Sequence, residues 1–417
     1  MIDVKNIKEK FFNNKKVAEN YFFMTFLQGA NLLIGVLLFP YLIRVLGKES
    51  YGTYVFIFSN IQFFSLLISF GFNFPALKKI SLSPDDIEIK NRTVSEVFTA
   101  KIYLFFICLG VLLILPLFIP FVKTNFIFYL IIFSTLLVDI LFPSWYFQGV
   151  QKMKFVTYVN LSFRLLSVFL IFLFVKSSAD LLKYVLIISL LPVFGSFFTF
   201  FYLRIKVKIR TNFVKLTSLK PVFENALPFF WTSAFGTLKK ESVTFIVGAF
   251  FSMGDVALYD LANKIIVIPR TITNSINSAL FPNIIQNYNL KRIKKVIGYE
   301  KIIGLINTLI IIAIGYWAVL ILGGRDMLAA YPLAVILSFT IYAWLIVGCY
   351  IEFLFVPQNR YYFVTKNQFA ALVSFIIFAA ISLLISKNIV FLVSAYALSH
   401  VVEIIYCRYL IRKHNLL

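Results

Sequence analysis

Charge is scarce in this sequence: Asp, Glu, Lys and Arg together make up 14% of its 417 residues, where soluble domains run near a quarter. Acids are scarcer than bases, 18 against 40 Lys and Arg, which leaves a formal net charge of +22. On a soluble domain such a surplus would suggest nucleic acid, but that reading needs a basic face on a polar fold. With 60% hydrophobic residues and a mean hydropathy of +0.89 there is no such fold, and no nucleic-acid partner is expected. Histidine and cysteine are rare too, two and three residues. Cys108, Cys349 and Cys407 sit in apolar segments without metal-type spacing, so they read as small hydrophobic fillers, and neither a metal nor a disulfide is expected. A G-x-x-x-x-G-K-[ST] loop is missing, which argues against ATP hydrolysis by this chain. The opening MIDVKNIKEKFFNNKK lacks the small-residue cleavage site of a signal peptide.

What the chain has instead is hydrophobic runs of about 20 residues from end to end. They predict an all-α polytopic membrane protein, not the alternating pattern of an outer-membrane barrel. About twelve spans are expected, at 21–46, 51–74, 98–122, 126–148, 155–176, 183–203, 225–251, 256–281, 299–322, 329–355, 367–386 and 389–410. Lys and Arg between the spans gather on the side that holds the N-terminus, which places both termini in the cytoplasm. Residues 1–20, with Val4, Ile7 and Phe11 on one helical face among lysines, suit an interfacial helix on the anionic leaflet. A basic linker at 204–224, with alternating Arg204, Lys206, Lys208 and Arg210, divides an N-lobe (21–203) from a C-lobe (225–410), and 411–417 form a cytoplasmic tail. RVLGKESYGTY, Arg44 to Tyr54, is weakly echoed by FSMGDVALYDL, Phe251 to Leu261. Two six-helix lobes with such a repeat, related by a pseudo-two-fold axis, are a transporter architecture.

The most polar span is the eighth, within Asp255 to Asn283. Asp260, Lys264 and Arg270 would each cost roughly 2.5–3.5 kcal/mol near mid-membrane if uncompensated. At helical spacing Asp260, Asn263, Lys264, Arg270, Asn274 and Asn277 form a polar seam, with Leu261, Ile265, Ile268 and Ile272 opposite. Asp260 and Lys264, one turn apart, can neutralise each other, whereas Arg270 has no local partner. Arg164 lies well inside the fifth span on the face of Asn160 and Ser167, and Lys239, Lys240 and Glu241 interrupt the seventh. Lys101, Lys301 and Arg44 are near span ends, where they could snorkel to headgroups; Asp139 could be an interhelical hydrogen-bond acceptor. Glu352 in the tenth span, and His400 with Glu403 in the twelfth, could handle protons or sodium, although Glu403 could instead pair with a basic neighbour. Cations thus collect in spans five, seven and eight and acids in ten and twelve, as suits an anionic substrate such as a pyrophosphate with carboxylates left for ion coupling.

Three stretches then resemble the O-antigen and polysaccharide flippases of the multidrug, oligosaccharidyl-lipid and polysaccharide exporter superfamily. They are FLQGANLLIGVLLFPYLIRVLGKESYG (Phe26 to Gly52), FPSWYFQGVQKMKFVTYVNLSFRLLSV (Phe142 to Val168), and ALPFFWTS (Ala226 to Ser233) followed by YDLANKIIVIP and ALFPN. The resemblance implies a V-shaped, alternating-access carrier, not an enzyme, in a bacterial cytoplasmic (inner) membrane. It would move an undecaprenyl-pyrophosphate-linked oligosaccharide, an O-antigen or capsule repeat unit, between leaflets. It implies that Arg164, Lys239, Lys240, Lys264, Arg270 and Asn274 contact substrate, with Asp260 orienting Lys264. H+ or Na+ would be the coupling ion, at Glu352, Glu403 or Asp139, with no other cofactor. The implied partners are the lipid-linked oligosaccharide, membrane lipids, and a polysaccharide polymerase with its chain-length regulator. A multidrug cation antiporter of the same superfamily should show a carboxylate in the first span, and Tyr21 to Tyr41 has none. A membrane polymerase or ligase of lipid-linked sugars should carry a large outward loop, and the outward connections expected here are minimal.

Overall fold

The computed structural model describes the backbone of residues 4–286, 289–358 and 360–417; side chains are described from residue 16 onward, except 272 and 274–286 within that range. Among these residues there are helices and no strand. They are α1 (Val4–Ser69), α2 (Asn73–Leu82), α3 (Ile87–Ile114), α4 (Pro120–Thr124), α5 (Phe126–Phe133), α6 (Leu136–Leu141), α7 (Ser144–Gly149), α8 (Met153–Phe174), α9 (Leu181–Ile205), α10 (Lys220–Phe250), α11 (Met253–Gln286), α12 (Leu290–Gly323), α13 (Ala330–Tyr350), α14 (Tyr361–Ile385) and α15 (Ile389–Lys413). Nine helical stretches among the described residues are long and apolar enough to cross a membrane. The count differs from twelve expected spans in two places. One stretch, Lys16–Ser69, runs 54 residues across the expected first two spans. The other difference is α10 and α11, which carry the charges singled out above.

The long α1 is bent at Gly47, whose φ of 77° is a left-handed conformation natural to glycine alone. The helix is unbroken at residue 20, and the side chains of Val4, Ile7 and Phe11 lie outside the described residues. The expected fourth span is broken into α5, α6 and α7. At the first break the Ser134 and Thr135 hydroxyls donate back to the carbonyls of Ile131 and Ile132, both at 2.6 Å, and at the second Pro143 has no N–H to continue the ladder. The polar stretch Pro75 to Val97 is largely helical, because the Asp86 carboxylate caps α3 by accepting from Glu88 N and Ile89 N.

The chain forms two compact units. Unit 1 comprises Met1–Gly35 and Phe64–Phe230, with a core that includes Phe72, Trp145, Tyr146, Phe147 and Met153. The linker belongs to it. Arg210 N donates to Asn91 Oδ1 at 2.9 Å, Asn212 N to Ser95 Oγ at 3.0 Å and Val214 N to Thr99 Oγ1 at 3.3 Å, so side chains of α3 satisfy the linker backbone. Unit 2 comprises Val36–Phe63 and Trp231–Leu417, with a core around Ile346, Tyr350, Phe353, Phe363 and Cys407. Within unit 2 the two echoing sequences touch. A Cβ on Gly52 would stand 1.8 Å from the Met253 carbonyl oxygen, and Gly254 N donates to Glu49 Oε2 at 2.9 Å. Short glycines let the backbones meet, and a carboxylate at the start of α11 suits the positive end of its dipole.

Candidate functional site

On α8, residues four apart share a face, which sets Asn160 beside Arg164. Both line a cavity of about 300 Å³ in unit 1, with Asn31 from α1, Phe142 from before α7, and Pro192 and Ser196 from α9. Gly195 keeps the wall thin there: a Cβ would meet the Phe163 ring at 2.8 Å. Arg164 Nε is buried and has no hydrogen-bond partner, and Arg164 forms no ion pair among the described residues. A guanidinium does not discharge by losing its proton, so the cavity holds a fixed, uncompensated positive charge, with no acid among its described lining residues.

Several of the other charges are paired. Lys101 is 1% exposed and donates to Asp139 Oδ2 at 2.7 Å, to Asp139 O at 3.0 Å and to Asn73 Oδ1 at 3.0 Å; Ser69 Oγ donates to the same carboxylate oxygen at 2.7 Å. The snorkelling expected of Lys101 is therefore absent: three acceptors inside unit 1 replace the water it would have sought. In unit 2 Lys239 pairs with Glu403 at 3.1 Å, and the other Glu403 oxygen accepts from Gln368 at 3.0 Å and Asn367 at 3.4 Å. His400, on the same helix as Glu403, places Nδ1 3.0 Å from the Tyr396 carbonyl. Glu241 accepts from Ser59 at 2.9 Å and from Lys240 at 2.9 Å, though Lys240 itself is exposed. Asp260 pairs with Lys264 one turn on, and Tyr51 joins them: its hydroxyl donates to Asp260 Oδ2 at 2.8 Å and accepts from Lys264 at 3.0 Å. Arg270, without a local partner on its own helix, stacks its guanidinium 4.4 Å from the ring centre of Trp344 on α13.

A family model described as "Polysaccharide biosynthesis protein" matches residues 17–288, well over half of the chain. The chain belongs to the polysaccharide biosynthesis protein family. It is 26% identical over 290 residues to a protein of Escherichia coli (strain K12) named "Putative O-antigen transporter", a match covering 69% of this chain and 70% of that one. A protein of the same name from Shigella dysenteriae is 27% identical over 288 residues, 68% of this chain and 69% of that one. Among solved structures, lipid II flippase MurJ in an inward closed conformation superposes with a TM-score of 0.70 at 13% identity, covering 93% of this chain and 87% of that one. An inward-facing MATE family multidrug resistance transporter of the MOP superfamily gives 0.66 at 12% identity, over 92% and 98%. At these identities the likeness is one of fold, and it is the all-α polytopic transporter fold expected from the sequence. By family, relatives and fold this polysaccharide biosynthesis protein is a multi-pass membrane transporter and not an enzyme.

The family match takes in Arg164, Lys239, Lys240, Asp260, Lys264, Arg270 and Asn274, while Glu352 and Glu403 lie beyond it. Unit 1 holds Arg164 and Asp139; unit 2 holds the rest. The Asn274 side chain lies outside the described residues. The aliphatic side of α11 packs on protein, with Leu261 and Ile265 buried, and the half-buried Asp260, Lys264 and Arg270 follow the seam. Glu352 falls on a single π-helical turn, Ile351–Phe355, and its buried oxygen Oε2 has no hydrogen-bond partner among the described residues. Such turns re-aim side chains out of the α-helical register. Tyr51, Trp344 and Gln368 escaped notice in the sequence. Tyr51 carried a signal, since it sits inside the echoed RVLGKESYGTY, whereas nothing local marks Trp344 or Gln368.

Proposed function

We propose that this chain is a flippase that moves an undecaprenyl-pyrophosphate-linked oligosaccharide, the repeat unit of an O-antigen or capsule, from the cytoplasmic to the outer leaflet of a bacterial inner membrane. One observation carries the reading: a permanently charged Arg164, its Nε buried and unpartnered, lines a cavity in a membrane transporter. A cation left uncompensated in a span is expensive, and the natural compensation is an anionic ligand. Membership of a polysaccharide biosynthesis family supports a sugar cargo, and so do two relatives named as O-antigen transporters. A fold neighbour that flips lipid II supports a lipid-linked one. In this reading both termini and the basic linker are cytoplasmic, and the product is handed to a polymerase and its chain-length regulator.

An H+ or Na+ gradient would drive the cycle. Of the three acids considered, Glu352 is the best placed to exchange an ion, because Asp139 and Glu403 already hold Lys101 and Lys239. Sidedness of lipid-linked repeat units in cells depleted of this protein tests the proposal. Accumulation in the inner leaflet, relieved by the intact chain and not by Arg164→Ala, is expected. Repeat units that reach the outer leaflet normally but stay unpolymerised would assign the chain to polymerisation instead.

A further inference from the structure

In unit 2 the first turns of α14 and the last turns of α15 gather cations without acids to match. The two helices run antiparallel and are tied at two levels here. The rings of Phe363 and His414 lie 4.7 Å apart, and Gln368 donates to Glu403 at 3.0 Å. Between those ties Lys366 is exposed on α14, and Arg408 and Arg412 on α15. At 1.5 Å per residue the stretch 363–368 rises about 7–8 Å, close to the roughly 5–8 Å of one headgroup region of a bilayer. None of the three cations forms an ion pair among the described residues, and Glu403, the acid of this layer, is buried against Lys239. Away from the layer the same faces turn apolar. On α14 Ile377, Val373 and Phe369 lead at helical spacing to Lys366 and Tyr362, and on α15 Leu398, Val401 and Ile405 lead to Arg408 and Arg412, all of them exposed. The Lys366 ammonium sits 5.3 Å from the ring centre of Tyr362 and that of Lys413 5.6 Å from Tyr409, so the cations share the level of tyrosines that suit a membrane interface.

An occupant of this face has to offer an anion at the rim and hydrocarbon below it. A soluble acidic peptide or a nucleic acid lacks the hydrocarbon, and a zwitterionic phospholipid offsets the anion with its own cation. We infer that this end of α14 and α15 is a binding site for an anionic phospholipid of the phosphatidylglycerol type. Lys366, Arg408 and Arg412, with stems long enough to turn inward, take the phosphodiester, and the acyl chains lie on the two apolar stripes. To test this, the full chain in neutral detergent is titrated with dioleoylphosphatidylglycerol and with dioleoylphosphatidylcholine, and bound lipid is counted by native mass spectrometry. The anionic lipid is expected to bind at least about tenfold more tightly, as suits two or three basic groups near one phosphate. Lys366→Gln with Arg408→Gln should abolish that preference and leave thermal unfolding in lipid-free detergent unchanged, because both side chains are exposed. Arg325→Gln with Lys387→Gln removes as much charge from exposed positions at the other end of these helices and should keep the preference. Equal binding of the two lipids would overturn the site. Equal loss in the two double variants would overturn it as well, by making the preference a matter of net charge alone. Neither glycerol 3-phosphate nor polyglutamate should displace the lipid. Displacement by the first would assign the cations to a free phosphate, and by the second to an acidic protein segment, and either would overturn the lipid assignment.

Discussion

Lys101 and Asp139 show what a charge inside a helical bundle needs. The ammonium has three acceptors and the carboxylate a second donor in Ser69, so neither is left to face apolar side chains bare. Removing one partner strands the other, which costs about 3–5 kcal/mol for a buried pair. Lys101→Met should therefore lower the unfolding midpoint in detergent substantially, and Lys101→Met with Asp139→Leu should recover most of the loss. Equal losses in the single and double variants would mean that the pair is not coupled. Glu352 makes the opposite case, since its Oε2 has no hydrogen-bond partner among the described residues. Glu352→Gln should leave folding intact and flatten the dependence of transport on pH or sodium, and an unchanged profile in a flux assay would discard it as the coupling site. The difference in legibility between such residues is one of range. The Asp260–Lys264 pair could be read from one-turn spacing, and Arg164 from the polar face it shares with Asn160. Lys101 looked like a snorkelling residue because its acceptors arrive from separate helices, α2 and α6, which no local pattern announces.

Among elements, the helices themselves were plain in the hydrophobic runs, because a segment that crosses lipid must satisfy its backbone internally. Their interruptions were not. The breaks between α5, α6 and α7 depend on hydroxyls bonding back to their own turn and on one proline, signals too weak to register within a 24-residue, predominantly apolar stretch, Phe126–Gly149. The echo around Gly47 and Gly254 was read as a repeat, and the structure adds that its two copies touch. That contact leaves no room for a side chain at Gly52, where the nearest atom is backbone and cannot rotate away. Gly52→Ala should lower the stability of unit 2 by about 1–3 kcal/mol, the range for overpacking. Gly29→Ala, with nothing within 4 Å of the added methyl, should be neutral or stabilising by up to about 1 kcal/mol, as expected of alanine in a helix. Thermal unfolding of the two variants side by side checks this, and a Gly52→Ala protein as stable as Gly29→Ala would mean that α1 and α11 do not meet so closely in solution.

At the scale of the whole molecule, the linker decides how the chain is strung. The alternating charges of Arg204, Lys206, Lys208 and Arg210 read as a basic linker between lobes, yet from Arg210 on its backbone is laced to α3 through Asn91, Ser95 and Thr99, and its Ile209 is buried. An extended strip of backbone held by three side chains is ordered at the expense of conformational entropy, so it stays closed only while those hydrogen bonds hold. Each is worth about 0.5–1.5 kcal/mol. Replacing Asn91 and Ser95 together by Ala removes two of them, and with them the bond that Ser95 Oγ donates to the Arg210 carbonyl at 3.1 Å, and should raise the open population of residues 204–215 by at least roughly tenfold, while the buried core of unit 1 is untouched. Trypsin reads this directly, since the segment carries several Lys and Arg and cleavage of a transiently opened site follows the open population. The expected result is slow nicking of the intact chain at residues 204–215 and at least about tenfold faster nicking of the double variant, at equal thermal stability. Rapid and equal nicking of both would mean that the linker is a free tether, and that unit 1 ends with α9.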